Sequence, residues 1–271
     1  MIKFGANIWS LPRDKRNIDQ FMQMAKSIGY DGVELAIDDK DVVMSSSERV
    51  NKWHRIREQA DNIGIEIPSI ASGLYWKYNF IVDEDKALNI LKIQREVARI
   101  VDAKIILIIP GVAVSSIDYI EHFNRASRAL KKVSKIAREY DIIIGLEPVW
   151  NRLFPSPLKF KKLIEDVNED NVRVYFDVAN TLPHSLPEHW IKILGNYIVQ
   201  IHVKDFSISK LAFGIPMTGD VNWNAVKQAL KEINYKEYLV AEVPWDEKEP
   251  YKPLIETLTR IKEIFEDYIK G

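Results

Sequence analysis

Short runs rich in Ile and Val alternate with longer amphipathic runs from one end of the chain to the other. The short runs cover residues 2–8, 32–37, 65–70, 104–109, 142–147, 172–177, 198–203 and 238–243. They are nearly continuous in apolarity, as strands buried on both faces should be. The longer runs repeat at helical spacing. Ala87, Ile90, Leu91, Val97, Ala98 and Val101 fall on one helix face, and Tyr119, Phe123, Ala126, Leu130, Val133 and Ala137 on another. Lys, Arg and Glu fill the opposite faces, which read as solvated surface. The stretch SSSERVNKWHRIRE reads as a capped amphipathic helix, and a last helix is predicted over residues 253–269.

Strand–helix alternation predicts a parallel sheet, and eight strands are the number that closes a barrel. An open, doubly wound sheet is the competing arrangement. No G-x-G-x-x-G follows the first strand, and the chain has no Walker loop. It also has no linker, low-complexity tract or break in composition. The expectation is an α/β fold, one (β/α)₈ TIM barrel over residues 1–271. A length of 271 residues with 46 % apolar content suits one large barrel.

A formal net charge of −1 argues against a dedicated nucleic-acid binder. The chain has no cysteine, which removes disulfide, thiolate-metal and cysteine-nucleophile chemistry. The first residues, MIKFGANIWS, lack the layout of a signal peptide. No run approaches the ~18 apolar residues of a membrane span. A cytoplasmic protein without membrane or nucleic-acid partners is therefore expected, with self-association left open.

Barrel chemistry gathers at the carboxyl ends of the strands. Each of the last four predicted strands ends in a group that can ligate or titrate: Glu147, Asp177, His202 and Glu242. Each follows an apolar stretch, where an unpaired charge is costly to bury. Taken singly, a Glu at a strand end reads as a cap or ion-pair partner, and a lone His as a satisfied core residue. Consecutive strands bring the four together despite sequence gaps of 30, 25 and 40 residues (177−147, 202−177, 242−202). Three carboxylates and one imidazole suit one divalent ion, Mn²⁺ first, with Mg²⁺, Co²⁺ or Zn²⁺ as alternatives.

At these residues the sequence resembles the xylose isomerase-like TIM-barrel family of sugar isomerases and epimerases. The motifs are GYDGVEL at residues 29–35, IGLEPVWN at 144–151, YFDVAN at 175–180, IHVKDF at 201–206, TGDVNW at 218–223 and VAEVPW at 240–245. The resemblance implies that Glu147, Asp177, His202 and Glu242 ligate the metal, and that Glu147 and Glu242 move the proton. SIASGLYWKY and EPVWNRLFPSPL look most like the sugar phosphate isomerase/epimerase branch. Tagatose- and psicose-type 3-epimerases carry a His where this chain has Asn180 and an Arg where it has Ile208. Two contacts to a free ketose are thus absent. Lys204 and Asp205 match the His-Val-Lys-Asp form of pentulose-5-phosphate 3-epimerases.

Lys204 shares a strand face with His202 and could meet an anionic substrate, or pair with a carboxylate at the barrel mouth. Asp205 faces the other way and reads as a loop-orienting residue. The Gly219 turn leads to a helix start capped by Asp220 or Asn222, a place where barrels bind phosphate. Lys204, Asn180, Trp150, Asn7 and Trp76 are the expected substrate contacts, with Trp9, Trp245 and Glu34 as weaker candidates. Plain packing is an equal reading for any one Trp. His184 and His189 are kept out of the metal shell.

The expected reaction is proton transfer between two glutamates through a metal-stabilised enediolate, epimerising or isomerising a keto-sugar or sugar phosphate. A phosphorylated substrate is favoured. The alternatives are an inosose-type dehydratase on the same barrel, an endonuclease IV-like abasic-site nuclease, and a non-catalytic sugar-binding barrel. The nuclease reading wants several clustered histidines, whereas only His202 among five ends a strand.

Overall fold

The computed structural model of the chain describes residues 2–269. Met1, Lys270 and Gly271, which the single-domain expectation included, lie outside them. The strands are β1 (Lys3–Asn7), β2 (Gly32–Ile37), β3 (Ser69–Ser72), β4 (Ile105–Ile108), β5 (Ile143–Leu146), β6 (Val172–Asp177), β7 (Ile198–Val203), β8 (Asp205–Ser207), β9 (Ala212–Gly214) and β10 (Tyr238–Ala241). All but β8 and β9 pair in parallel and close into a barrel in the order β1-β10-β7-β6-β5-β4-β3-β2. The fold is the (β/α)₈ barrel that the alternation predicts.

The helices are α1 (Ile18–Ile28), α2 (Asp39–Val43), α3 (Ser46–Ile63), α4 (Glu84–Val101), α5 (Tyr119–Arg138), α6 (Pro157–Val167), α7 (Val178–Thr181), α8 (Pro187–Leu194), α9 (Trp223–Glu232) and α10 (Lys252–Ile264). Their apolar faces pack on the outside of the barrel. The six residues expected to face inward from α4 are all buried. On α5 the periodicity holds from Ala126 onward, while Tyr119 is 41 % exposed. Helix ends follow local chemistry. Ser45 and Glu48 form a capping box at the start of α3, and Gly29 ends α1 in the left-handed conformation at φ 102°. Among the described residues, no helix is long and apolar enough to cross a membrane.

Three elements differ from the sequence expectation. The third strand pairs over Ser69–Ser72 rather than 65–70. Ile65 and Ile67 are buried, which gives residues 65–70 their strand-like pattern, but Pro68 has no N–H for a ladder. Only a single bridge, Gly32 to Glu66, precedes the strand. The antiparallel hairpin of β8 and β9 was not foreseen, because its strands are too short to show a period. The last predicted helix is broken in two, α10 ending at Ile264 and a short α11 (Glu266–Ile269) following after buried Phe265.

Candidate metal centre

Four strand ends deliver the charged residues. Glu147 follows β5 directly, and its N–H continues the ladder to the Ile108 carbonyl at 3.0 Å. Asp177 ends β6 and caps α7, with Oδ1 accepting the Asn180 N–H at 2.7 Å. That leaves Oδ2 free to turn inward. His202 lies beside Asp177 in the β6–β7 register and beside Val240 in the β10–β7 register. Glu242 follows β10, its N–H donating to the Val203 carbonyl at 3.3 Å.

One ligating atom from each of Glu147, Asp177, His202 and Glu242 lies within 4.8 Å of all the others. The His202 Nδ1 is 3.2 Å from Glu147 Oε1, 3.5 Å from Glu242 Oε2 and 3.8 Å from Asp177 Oδ2. The other ring nitrogen, Nε2, is 2.7 Å from Glu34 Oε1. Lys204, two residues beyond His202 on the same strand face, places Nζ against both Asp177 Oδ2 and Glu242 Oε2. Asp177 and His202 are wholly buried, and Glu147 and Lys204 nearly so.

Burial and charge act against each other throughout this cluster. Burial pushes the Glu147 carboxyl up to about 7, and the nearby charges of Glu242 and Asp177 add to the rise while His202 opposes it. Burial would also raise Glu242, but Lys204 and His202 outweigh it and hold that carboxyl below its usual range. Glu34 is likewise held low against its burial by His202 and by hydrogen bonds. Burial alone would lower His202 and Lys204. The surrounding carboxylates outweigh it, and both stand well above their ordinary values.

The residues fit a divalent ion. Three carboxylates and one imidazole nitrogen converge, an oxygen-rich set suited to a hard or borderline cation. The imidazole meets that set with Nδ1 while a carboxylate holds Nε2, the usual arrangement around a metal-ligating histidine. A doubly charged ion would also relieve the repulsion among carboxylates that Lys204 and His202 offset.

The expected substrate contacts divide. Asn180 stands at the centre, its Nδ2 3.3 Å from Glu147 Oε1. Trp150 is at the mouth and 44 % exposed, its Nε1 bonded to the Asn180 carbonyl and its ring stacked on Phe213 of the hairpin at 5.2 Å. Trp76 is half-exposed after β3, with no bond to the cluster. Asn7 is wholly buried, with Oδ1 accepting the Trp9 N–H and Nδ2 donating to Glu34, so its amide is bonded within the protein.

Both features that suggested a phosphate are engaged within the protein. Lys204 is held by two carboxylates. A β-carbon at Gly219 would collide with the Asp205 carboxylate and the Phe206 carbonyl. Asp205 itself takes the N–H groups of Phe206 and Val221 and the indole of Trp223, as its loop-orienting reading required. Asn222 caps α9 through the Ala225 N–H. His184 and His189 are exposed and outside the cluster.

Glu34 was read as a hydroxyl contact and stands instead beneath His202. The sequence signal was present: an acidic residue within the apolar GVEL strand cannot be buried alone. A cavity of about 440 Å³ opens at the opposite, amino end of the barrel, lined in part by Lys3, Glu66, Lys104 and Gln200. Lys3 and Lys104 pair there with Glu66 and Asp102.

Comparison with known proteins gives a consistent picture. The family described as xylose isomerase-like TIM barrel matches residues 22–264. Among solved structures, an L-ribulose 3-epimerase superposes with a TM-score of 0.80 at 18 % identity, over 100 % of this chain and 96 % of that one. The D-psicose 3-epimerase of Clostridium cellulolyticum H10 gives 0.80 at 17 % identity, over 97 % and 99 %. The 3-keto-D-glucoside 4-epimerase of E. coli gives 0.77 at 18 % identity, over 97 % and 100 %. At these identities the likeness is one of fold. The uncharacterized protein MJ1614 of Methanocaldococcus jannaschii is 30 % identical over 145 residues, 51 % of this chain and 55 % of that protein. The match thus spans about half the length of the curated relative.

Proposed function

This chain belongs to the xylose isomerase-like TIM-barrel family, and we propose that within it the protein is a divalent-metal-dependent epimerase or isomerase of a keto-sugar. One observation carries the reading. Glu147 and Glu242 come from strands three steps apart around the closed barrel, yet both bear on the same Asp177–His202 pair. A substrate held between them presents opposite faces of one carbon to two carboxylates.

A bound Mn²⁺ or similar ion, held by Glu147, Asp177, His202 and Glu242, supplies Lewis acidity toward the substrate's oxygens. The chain's own residues do the rest. One glutamate takes the proton from the carbon beside the carbonyl, and the other returns a proton to the opposite face. Asn180 steadies Glu147 through its Nδ2, and Lys204 steadies Glu242. Trp150, stacked on Phe213 and edge-on to Phe206, offers an apolar wall to a sugar face. Return of the proton to the neighbouring carbon would make the same site an isomerase. A nuclease reading is disfavoured because the cluster holds a single histidine.

Incubation of the Mn²⁺-loaded protein with free and phosphorylated ketoses in deuterated water tests the proposal. Deuterium should enter the carbon beside the carbonyl of at least one sugar, in step with epimer formation. DNA strand cleavage without such exchange would overturn the reading.

A further inference from the structure

Beneath the metal centre the barrel interior is polar where such barrels are ordinarily filled by branched apolar side chains. Asn7, Glu34, Ser69, Tyr175, Gln200 and His202 are each at most 1 % exposed. They come from β1, β2, β3, β6 and β7 and bond to one another rather than to solvent. Glu34 is the hub. Its Oε1 accepts from Asn7 Nδ2 and meets His202 Nε2 at 2.7 Å, and its Oε2 accepts the Ser69 hydroxyl at 2.7 Å. Gln200 then donates from Nε2 to both Ser69 Oγ and the Tyr175 hydroxyl, each at 2.7 Å.

The contact between Glu34 and His202 crosses the barrel. β2 and β7 are not neighbours; β1 and β10 stand between them. No backbone ladder fixes the distance between these two side chains, so the carboxylate–imidazole bond must do so itself. A carboxylate with no proton can only accept, which requires Nε2 to carry the hydrogen. Once the Nδ1 proton is released, the Nδ1 lone pair faces Glu147, Asp177 and Glu242. Such a partner also raises the basicity of the ligating nitrogen.

We propose that Glu34 is a positioning residue of the metal centre, locking His202 in the Nε2–H tautomer and aiming Nδ1 at the ion. Asn7 and Ser69 hold the Glu34 carboxylate in turn, with Gln200 anchoring Ser69 from below. The role rests on the metal-centre part of the proposed function, but not on which sugar is turned over.

Manganese titration of the purified, metal-free chain and of Glu34→Gln tests it. The substitution keeps the shape and removes the charge that demands a donor at Nε2. Affinity for Mn²⁺ should fall about 10- to 100-fold, while the thermal midpoint of the metal-free protein changes far less than the affinity. Nitrogen-15 spectra of the histidines with Mg²⁺ bound should show His202 as a fixed Nε2–H tautomer in the parent chain, with that signature weakened in Glu34→Gln. Ser69→Ala serves if Glu34→Gln does not fold; it should cost a smaller part of the affinity. Unchanged affinity in whichever variant folds, or an Nδ1–H tautomer in the parent chain, overturns the role of Glu34. A parent chain that binds no Mn²⁺ overturns the metal centre itself.

Discussion

Glu147 and Glu242 have the same side chain and opposite electrostatics. Burial raises Glu147 to about 7, whereas Lys204 keeps Glu242 low against its own burial. In the metal-free chain the raised value of Glu147 contributes stability below its ordinary value, and that contribution is lost as pH rises through about 7. His202, held protonated by its carboxylate neighbours, must also release a proton before Nδ1 can ligate. Metal uptake should therefore release protons, and Mn²⁺ affinity should climb from roughly pH 6 to 8. Titrations at a series of pH values in two buffers of different protonation enthalpy check both; a pH-independent affinity would oppose this picture. At this level much of the site was legible from sequence. Glu147, Asp177, His202 and Glu242 each follow an apolar run, where a charge needs a reason. The bond of Glu34 to Asn7 and His202 was not readable, because a sequence shows that a strand residue points inward, not which strand it meets across a barrel.

The parallel strands and long helices follow from periodicity, and several strand boundaries are the expected ones. The third strand was displaced because Ile65 and Ile67 are buried without pairing in a strand. The hairpin of β8 and β9 was illegible because only Asp205–Ser207 and Ala212–Gly214 pair. Yet that hairpin carries Phe206 and Phe213 to Trp150 and so builds one wall of the mouth. Asp205 fastens it to the start of α9 across the Gly219 turn. The backbone there approaches so closely that a β-carbon at Gly219 would strike Phe206 backbone atoms. Gly219→Ala should cost about 1–3 kcal/mol of stability and open the hairpin to protease. Chemical denaturation and mapping of cleavage sites check this, and full stability with an uncut hairpin would contradict it.

Barrel closure is what turns residues far apart in sequence into one centre. Strands β5 and β10 are separated by β6 and β7 around the ring, so their two glutamates approach the enclosed space from different sides. The eight-unit alternation made that closure readable from sequence, and with it the convergence of the last four barrel strands. The polar layer beneath was not readable, since it depends on which inward residues share a height. On the proposed reading, inversion at one carbon uses both Glu147 and Glu242, which reach the enclosed space from different strands. The most direct measurement is product stereochemistry together with deuterium content for Glu147→Gln and Glu242→Gln, each loaded with Mn²⁺ in deuterated water. Each change keeps the shape and removes a proton-accepting oxygen. Inversion should fall by orders of magnitude in either variant, while exchange from the remaining face leaves some substrate labelled but uninverted. Near-normal inversion in either variant, with metal still bound, would contradict a proton route through the two glutamates.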